Sequence, residues 1–469
     1  MYINREMFRG SRRTGIGATV SMAFLALQGC TNCSGVPPEA DVATASFWSP
    51  VESNNTLPPT PQAIRSQTVA FDVEQLRPPN KRIVLSLPDG RDIAAVLSDY
   101  EETGKDQFVW RGEIEGEADG LVTLSVINGK IVGDIITENG SMFSMRSVAP
   151  GIALVEELDP TQFPEEAEPS QVEKPPTPER PSEVGIDGDT PTAPPDDPVI
   201  IGWMQRIGIV QRAEAQPAPS ETVIDVMVLY TGGVLEYAGG DDEAVLGKIT
   251  QAVSDTNRSY KKSNVAQRLR LAHFDQTTYE ETDDLLDALL AFPTLSGLIE
   301  TRSRYNADIV VMLTKPVPRK GMCGIAHQMT GPPASSFCSE AFAVVPVNCA
   351  TSKHSFAHEL GHVMGANHNI MFDTNGTPIQ IVNTFEHSHG FVSPTNRWRT
   401  IMSYPTAACV LPVCKRIPYW SNPSVSYPPP KAATQVQPQT VFTGSELENN
   451  ALSLNLTRGI VASFSDACN

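Results

Sequence analysis

The sequence predicts an α+β protein: a small all-β region followed by an α/β-like domain built on a mixed, mostly parallel sheet with helices against it. Three observations carry this expectation. Between Thr68 and Glu157 the chain consists of short β-branched, alternating runs such as "RIVLSLPDG" and "GLVTLSVINGKIVGDIIT", punctuated by Asp-Gly and Asn-Gly turn signals. Beyond Ile224 buried-strand runs alternate with stretches of helical spacing. Between these two textures, Pro164 to Pro198 is acidic and proline-rich, with almost no apolar residues to repay the entropy of ordering.

Taken from the N-terminus, Arg5, Arg9, Arg12 and Arg13 form a basic segment, followed by an uncharged apolar stretch from Thr14 to Leu27. This is the pattern of an export signal, and it is too short to span a membrane. The stretch ends in "LQGC", which resembles the lipobox of bacterial lipoproteins and makes Cys30 the lipidation candidate. The expected organisation is a signal peptide over 1–30, a tether over 31–66, a β-rich domain over 67–160, a Pro/acidic linker over 161–221 and a second domain over 222–469.

In the second domain "IDVMVLY" (Ile224 to Tyr230) reads as a buried strand. Ala244 to Ser263 is a helix with Val245, Leu246, Ile249, Val253 and Tyr260 on one face. "QRLRLAHF" is a second strand, Leu285 to Asn306 holds one or two helices, and "DIVVML" (Asp308 to Leu313) is a third strand. "FAVVPV" (Phe342 to Val347) is a shorter strand whose proline suits a sheet edge. The next helix should begin near Ser355.

That helix carries "HELGHVMGANH", His358 to His368, in a chain with only 8 histidines. His358 and His362 are one helical turn apart, so both imidazoles leave one face and can meet one metal ion. Glu359 is displaced by about 100° round the helix, beside the metal, where it can hold and deprotonate a water. Gly365 falls where the helix should end, and its tolerance of positive φ lets the chain turn so that His368 returns as a third ligand. Three neutral imidazoles leave one position open, which is the arrangement of a catalytic zinc site, whereas structural sites are usually filled by four ligands rich in cysteine. The full string arises by chance in a chain of this composition with odds on the order of one in a hundred thousand.

The string HExxHxxGxxH is the signature of the metzincin metalloproteases, and "RTIMSYP" resembles their methionine-containing turn, with Met402 as an apolar floor under the imidazoles. The texture is most similar to the bacterial reprolysin-like group that includes peptidyl-Asp metalloendopeptidases. "IDVMVLYT", "SNVAQRLRL", "ADIVVML", "CGIAH", "HGF" and "IPYWSNP" fall in that group's order, from Ile224 to the C-terminus. The resemblance implies a metzincin-type fold, a preceding propeptide in the β-rich part, and a zinc endopeptidase made as a proenzyme. It also implies metal ligands His358, His362 and His368, with Glu359 as general base toward a zinc-bound water. Two positions depart from the group. Asn369 stands where relatives commonly have Asp, and Tyr404 matches the "MSY" of other metzincins, where the tyrosine can reach the zinc or stabilise an oxyanion.

The formal charge of −19 argues against nucleic acid as a partner, because phosphate binding needs basic stripes. The expected partner is a protein or peptide substrate. Membrane association would come only through an N-terminal lipid, and a monomer is expected. Localisation is outside the cytoplasm, as a cell-envelope lipoprotein or a secreted protein. Of the 8 cysteines, six (323, 338, 349, 409, 414 and 468) lie in the C-terminal half, an even set that suggests disulfides, with Cys409–Cys414 the first pair to expect. Between Ser34 and Met322 there is no cysteine, so latency through a propeptide cysteine is not expected; a carboxylate or occlusion by the β-domain is left. Lys415 and Arg416 could favour an acidic substrate residue or could be solvated loop charges. No ligand cluster singles out a calcium site. His387 and His389 read as a polar loop near the cleft rather than a second metal site, and His354 is given no ligand role. The alternative class is a surface binding or adhesion protein on the same scaffold with catalysis lost.

Overall fold

The computed structural model describes residues 46–53, 57–167, 221–371, 383–406, 409, 414–427 and 441–468. Cys30 and the export signal lie outside these residues, as does most of the linker. The N-terminal part is a nine-stranded sheet in which every pairing is antiparallel. Its strands are β1 (Trp48–Pro50), β2 (Ala63–Phe71), β3 (Arg82–Ser86), β4 (Asp92–Gly104), β5 (Gln107–Ile114), β6 (Leu121–Ile127), β7 (Lys130–Ile136), β8 (Met142–Ala149) and β9 (Ile152–Leu158). They lie in the order β1-β2-β9-β8-β7-β6-β5-β4-β3.

This sheet is larger than the small β-region expected from sequence, and it recruits residues read as tether. Phe47 and Trp48 are the reason: both are buried in the sheet's core, and the Trp48 indole donates to the Ser86 carbonyl at 2.7 Å. Two aromatic anchors outweigh a composition rich in Pro, Ser and Thr, and Pro50 is tolerated because β1 is an edge strand.

The second part is a five-stranded sheet of β10 (Thr222–Tyr230), β11 (Gln267–Gln276), β12 (Ile309–Thr314), β13 (Ile325–Ala326) and β14 (Phe342–Pro346), ordered β11-β10-β12-β14-β13. All pairings are parallel except that of β13 with β14, so the expectation of a mixed, mostly parallel sheet holds for this part. The continuous apolar run of β10 follows from burial on both faces. Ile224, Val226 and Val228 join one core, and Met227 and Leu229 join another beneath α3 (Leu285–Ala291) and α4 (Leu298–Arg304).

One placement differs from the sequence reading: β14 is an interior strand, not an edge. β13 pairs only with Val344 and Ala343, so Pro346 lies beyond that ladder and costs no hydrogen bond on that side. The true rim is β13, two residues long and too short to register as a strand in the sequence.

The sheet's other helices are α1 (Gly232–Tyr237), α2 (Asp242–Lys262), α5 (Ser355–Val363) and α6 (Asn450–Val461). Asp241 caps α2 by accepting from the backbone of Glu243 and Ala244. Its apolar face enters the core as expected, but its polar face is buried too, against β6 and β7 of the N-terminal sheet. There Asp134 on β7 accepts from Gln251 at 2.5 Å, Thr351 at 2.6 Å and Ser352 at 2.7 Å, with the Lys248 ammonium 3.5 Å away. Three disulfides, Cys323–Cys349, Cys338–Cys468 and Cys409–Cys414, tie the C-terminal part, the last being the pair expected from its short loop.

Burial alone would push the Asp134 carboxyl up, but Lys248 and the three hydrogen bonds hold it below its ordinary range. Its stabilising contribution is therefore present above the unfolded value of about 3.9 and is lost as pH falls through the lower folded value. Replacing Asp134 with Ala leaves Lys248 buried without its carboxylate and should cost about 3 kcal/mol. Urea unfolding at pH 7 reads this directly, and the gap between wild type and variant should narrow in strong acid.

Candidate metal centre

The site begins with α5, whose nine residues are all buried. His354 sits at its N-cap with φ 56° and stays apart from the metal cluster. Gly361 faces the floor of the site, and a Cβ there would lie 2.6 Å from Met402 Sδ and 2.8 Å from the Trp420 ring. The Met402 sulfur thus packs directly against the helix at Gly361. Gly365 ends the helix with φ +86°, its N–H donating to the His362 carbonyl, while Ala366 donates to Gly361.

The turn brings the three histidines together. His358 Nε2 lies 3.1 Å from His368 Nε2 and 3.1 Å from His362 Nε2, and the third separation is 3.0 Å. Three nitrogens at about 2.0–2.1 Å from a tetrahedral zinc would sit about 3.3 Å apart, so the triad fits one such ion. The His358 ring donates from Nδ1 to the Ile401 carbonyl at 2.9 Å, which leaves its Nε2 lone pair aimed at the shared point. Burial pushes His358 down to about 3 and His362 well below its ordinary value, with the neighbouring histidines adding to the effect. Both rings are therefore held neutral, as ligands require. Among the described residues this is the one group of three His, Cys, Asp or Glu side chains placed to hold a metal.

Glu359 stands on the same helix, wholly buried, and neither carboxylate oxygen has a protein hydrogen-bond partner. It fills the space over Gly324, where any Cβ would collide with it. Burial raises its pKa well above the ordinary carboxylate value, and Glu166 nearby adds to this.

Several supports escaped sequence reasoning because they come from distant segments. His389 donates from Nδ1 to the His368 carbonyl at 2.9 Å and meets the Asn383 amide through Nε2, so it braces the third histidine. From α6, Thr457 donates to the Met364 carbonyl at 2.8 Å, and Asn450 brackets Asn367 with two backbone bonds. Asn369 accepts from the Tyr404 N–H at 2.8 Å, which ties the ligand loop to the methionine turn. The Tyr404 ring lies 4.0 Å from that of His368, and its hydroxyl lies 2.9 Å from the Glu166 carbonyl.

The largest departure from the sequence reading is that Phe163 to Ala167, expected to begin a solvated linker, is packed into this cleft. Cys323 N–H donates to the Glu165 carbonyl at 3.0 Å, and Ala167 N–H donates to the Gly324 carbonyl at 2.9 Å, beside rim strand β13. Arg416, left open as a solvated charge, is buried and pairs with Glu166; Lys415 pairs with Asp119 at 2.8 Å.

Residues 220–421 match metallo-peptidase family M12. The class so defined is that of a zinc metalloendopeptidase. Among curated proteins, the chain is similar to a peptidyl-Asp metalloendopeptidase of Xanthomonas campestris pv. campestris, 27% identical over 430 residues that cover 87% of this chain and 91% of the relative. It is also similar to a protein of the same name from Stenotrophomonas maltophilia, 28% identical over 78% of this chain and 81% of that one.

Substituting Gly365 with Ala forces a side chain into the left-handed region, at about 1–2 kcal/mol, and against Thr384 Oγ1, 2.6 Å from the added Cβ. Thermal denaturation should show the loss. Competition with a chelator should show zinc affinity lower by about tenfold or more, because His368 depends on this turn.

Proposed function

We propose that the chain is an exported proenzyme of a zinc endopeptidase, in which His358, His362 and His368 hold the metal and Glu359 is the general base. The observation that carries this reading is the convergence of three Nε2 atoms within 3.1 Å of one another, with an unpartnered carboxylate one residue from the first of them. A zinc ion bound there would polarise a peptide carbonyl and lower the pKa of a water to around neutrality.

The chain's own groups do the rest. Glu359 accepts the proton of the attacking water and delivers it to the departing amine, a task for which neither of its oxygens is engaged by another protein group. Tyr404 holds the carbonyl oxygen, a role supported by its hydroxyl lying within hydrogen-bond distance of the Glu166 and Ala167 peptide carbonyls. Met402 fixes the floor. Rim strand β13 offers backbone groups to an extended peptide, as the Gly324 carbonyl already does to Ala167.

Proenzyme status is supported by the wholly buried state of His358, Glu359, His362 and His368, since a peptide cannot reach a site with no accessible surface. The name of the relatives specifies aspartate, and we extend to this chain a preference for an acidic side chain beside the cleaved bond, received by Arg416. Export is supported by the N-terminal sequence and by the disulfides. Among the described residues no helix is long and apolar enough to cross a membrane, so anchoring would fall to Cys30.

Glu359→Ala in the zinc-loaded, linker-cleaved protein should lower peptide hydrolysis by about a thousandfold while elemental analysis still finds about one zinc per chain. Equal turnover by the two proteins would sink the mechanism. Treating the wild type with a zinc chelator should abolish hydrolysis, and added zinc should restore it.

A further inference from the structure

Glu166 is held by a set of groups that resembles a binding pocket more than a packing accident. Its carboxylate takes two parallel bonds from Arg416, Nη1 to Oε1 at 2.5 Å and Nη2 to Oε2 at 2.7 Å, and a third from the Ser355 hydroxyl at 2.6 Å. The side chain has no exposed surface. Ser355 is the first residue of α5, one turn before His358, and Arg416 belongs to the segment that follows Met402. The pocket thus lies against the metal centre on the catalytic part of the chain, while its occupant comes from the N-terminal part.

A second carboxylate position adjoins it. Arg399 donates from Nη2 to both oxygens of Glu165, at 2.8 and 2.9 Å, Arg416 Nη2 lies 3.2 Å from Oε2, and the Lys353 ammonium lies 3.5 Å from Oε1. Arg399 is buried, and so is Lys353, whose pKa burial pushes down to about 8 despite Glu165 opposite it. Three buried cations without carboxylates would be strongly unfavourable, so this basic cluster requires an anionic occupant. The backbone of the same segment is seated at the rim through Cys323 and Gly324, and its carbonyls face the Tyr404 hydroxyl.

We propose that Arg416 with Ser355, and Arg399 with Lys353, form two adjacent carboxylate subsites that read consecutive acidic side chains of a peptide, and that Glu165 and Glu166 are the chain's own occupant of them. The protein is then held latent by an internal copy of its preferred ligand, in place of a propeptide cysteine, which the stretch from Ser34 to Met322 does not contain. This reading depends on the hydrolytic function only for its effect on activity, because carboxylate recognition by the two subsites is a binding property.

The test uses a fluorescently labelled peptide of residues 161–167, "TQFPEEA", and its counterpart with Gln at both acidic positions, binding to the full-length zinc-loaded chain and to its Glu165→Gln/Glu166→Gln variant. In the variant the internal segment no longer competes, so the acidic peptide should bind about tenfold or more tighter than to wild type, and the Gln peptide should not. Equal binding of the two peptides, or equal affinity of wild type and variant for the acidic one, overturns the proposal. If the double variant lacks a cooperative thermal transition, Glu165→Gln alone, which keeps the buried Glu166–Arg416 pair, serves the same comparison: a rise of about threefold or more supports the proposal and no rise overturns it. Carboxylate-dependent binding without hydrolysis of any peptide would leave this inference standing and remove the proposed activity. Hydrolysis with indifferent peptide binding would do the reverse.

Discussion

The C-terminal part turns on one arrangement: three imidazole nitrogens held within 3.1 Å of one another, in a wholly buried cluster. Such a cluster persists only if the surrounding backbone fixes it. Here the fixing groups are the Ile401 carbonyl on His358, the His389 ring on the His368 carbonyl, and the Asn450 and Thr457 side chains of α6 on the loop between the second and third histidines. These groups hold the three rings in the orientation in which their Nε2 atoms converge.

The same logic of compensated burial joins the two parts of the chain. Lys248, Lys415, Arg399 and Arg416 are cations of the catalytic part, and each faces a carboxylate from the N-terminal part: Asp134, Asp119, Glu165 and Glu166. Surface charge pairs are worth little, but pairs as buried as Lys248–Asp134 and Arg416–Glu166 discriminate strongly between a matched and an unmatched partner. The N-terminal part is therefore matched to the C-terminal part by charge at these four positions.

What the sequence revealed and what it hid divide along physical lines. The ligand triad, Glu359, the Gly365 turn and the strands β10, β11, β12 and β14 were legible because each depends on spacing within one short segment: a helical turn, a left-handed glycine, a period of alternation. Met402 was legible through resemblance. The rim strand β13 was not, because two residues carry no period. The supports His389, Asn450 and Thr457 were not, because they meet the site from elsewhere in the chain and nothing local marks them. Glu165 and Glu166 were read as solvated linker because composition records only that a segment is polar. Whether its charges face water or buried arginines is a tertiary fact. The burial of the polar face of α2 against β6 and β7 is hidden from the sequence for the same reason.

The disulfide between Cys323 and Cys349 has a bearing on the order in which the protein is put together. Cys323 is the residue whose N–H donates to the Glu165 carbonyl, and Cys349 directly precedes the segment leading into α5. One covalent bond thus spans the rim of the cleft and the approach to the ligand helix. In a reducing compartment that covalent tie is absent, and the rim is located by the short β13 ladder and its flanking backbone hydrogen bonds. Oxidation of this one pair of thiols therefore secures the rim on which Glu165 rests and the approach to α5 in a single step.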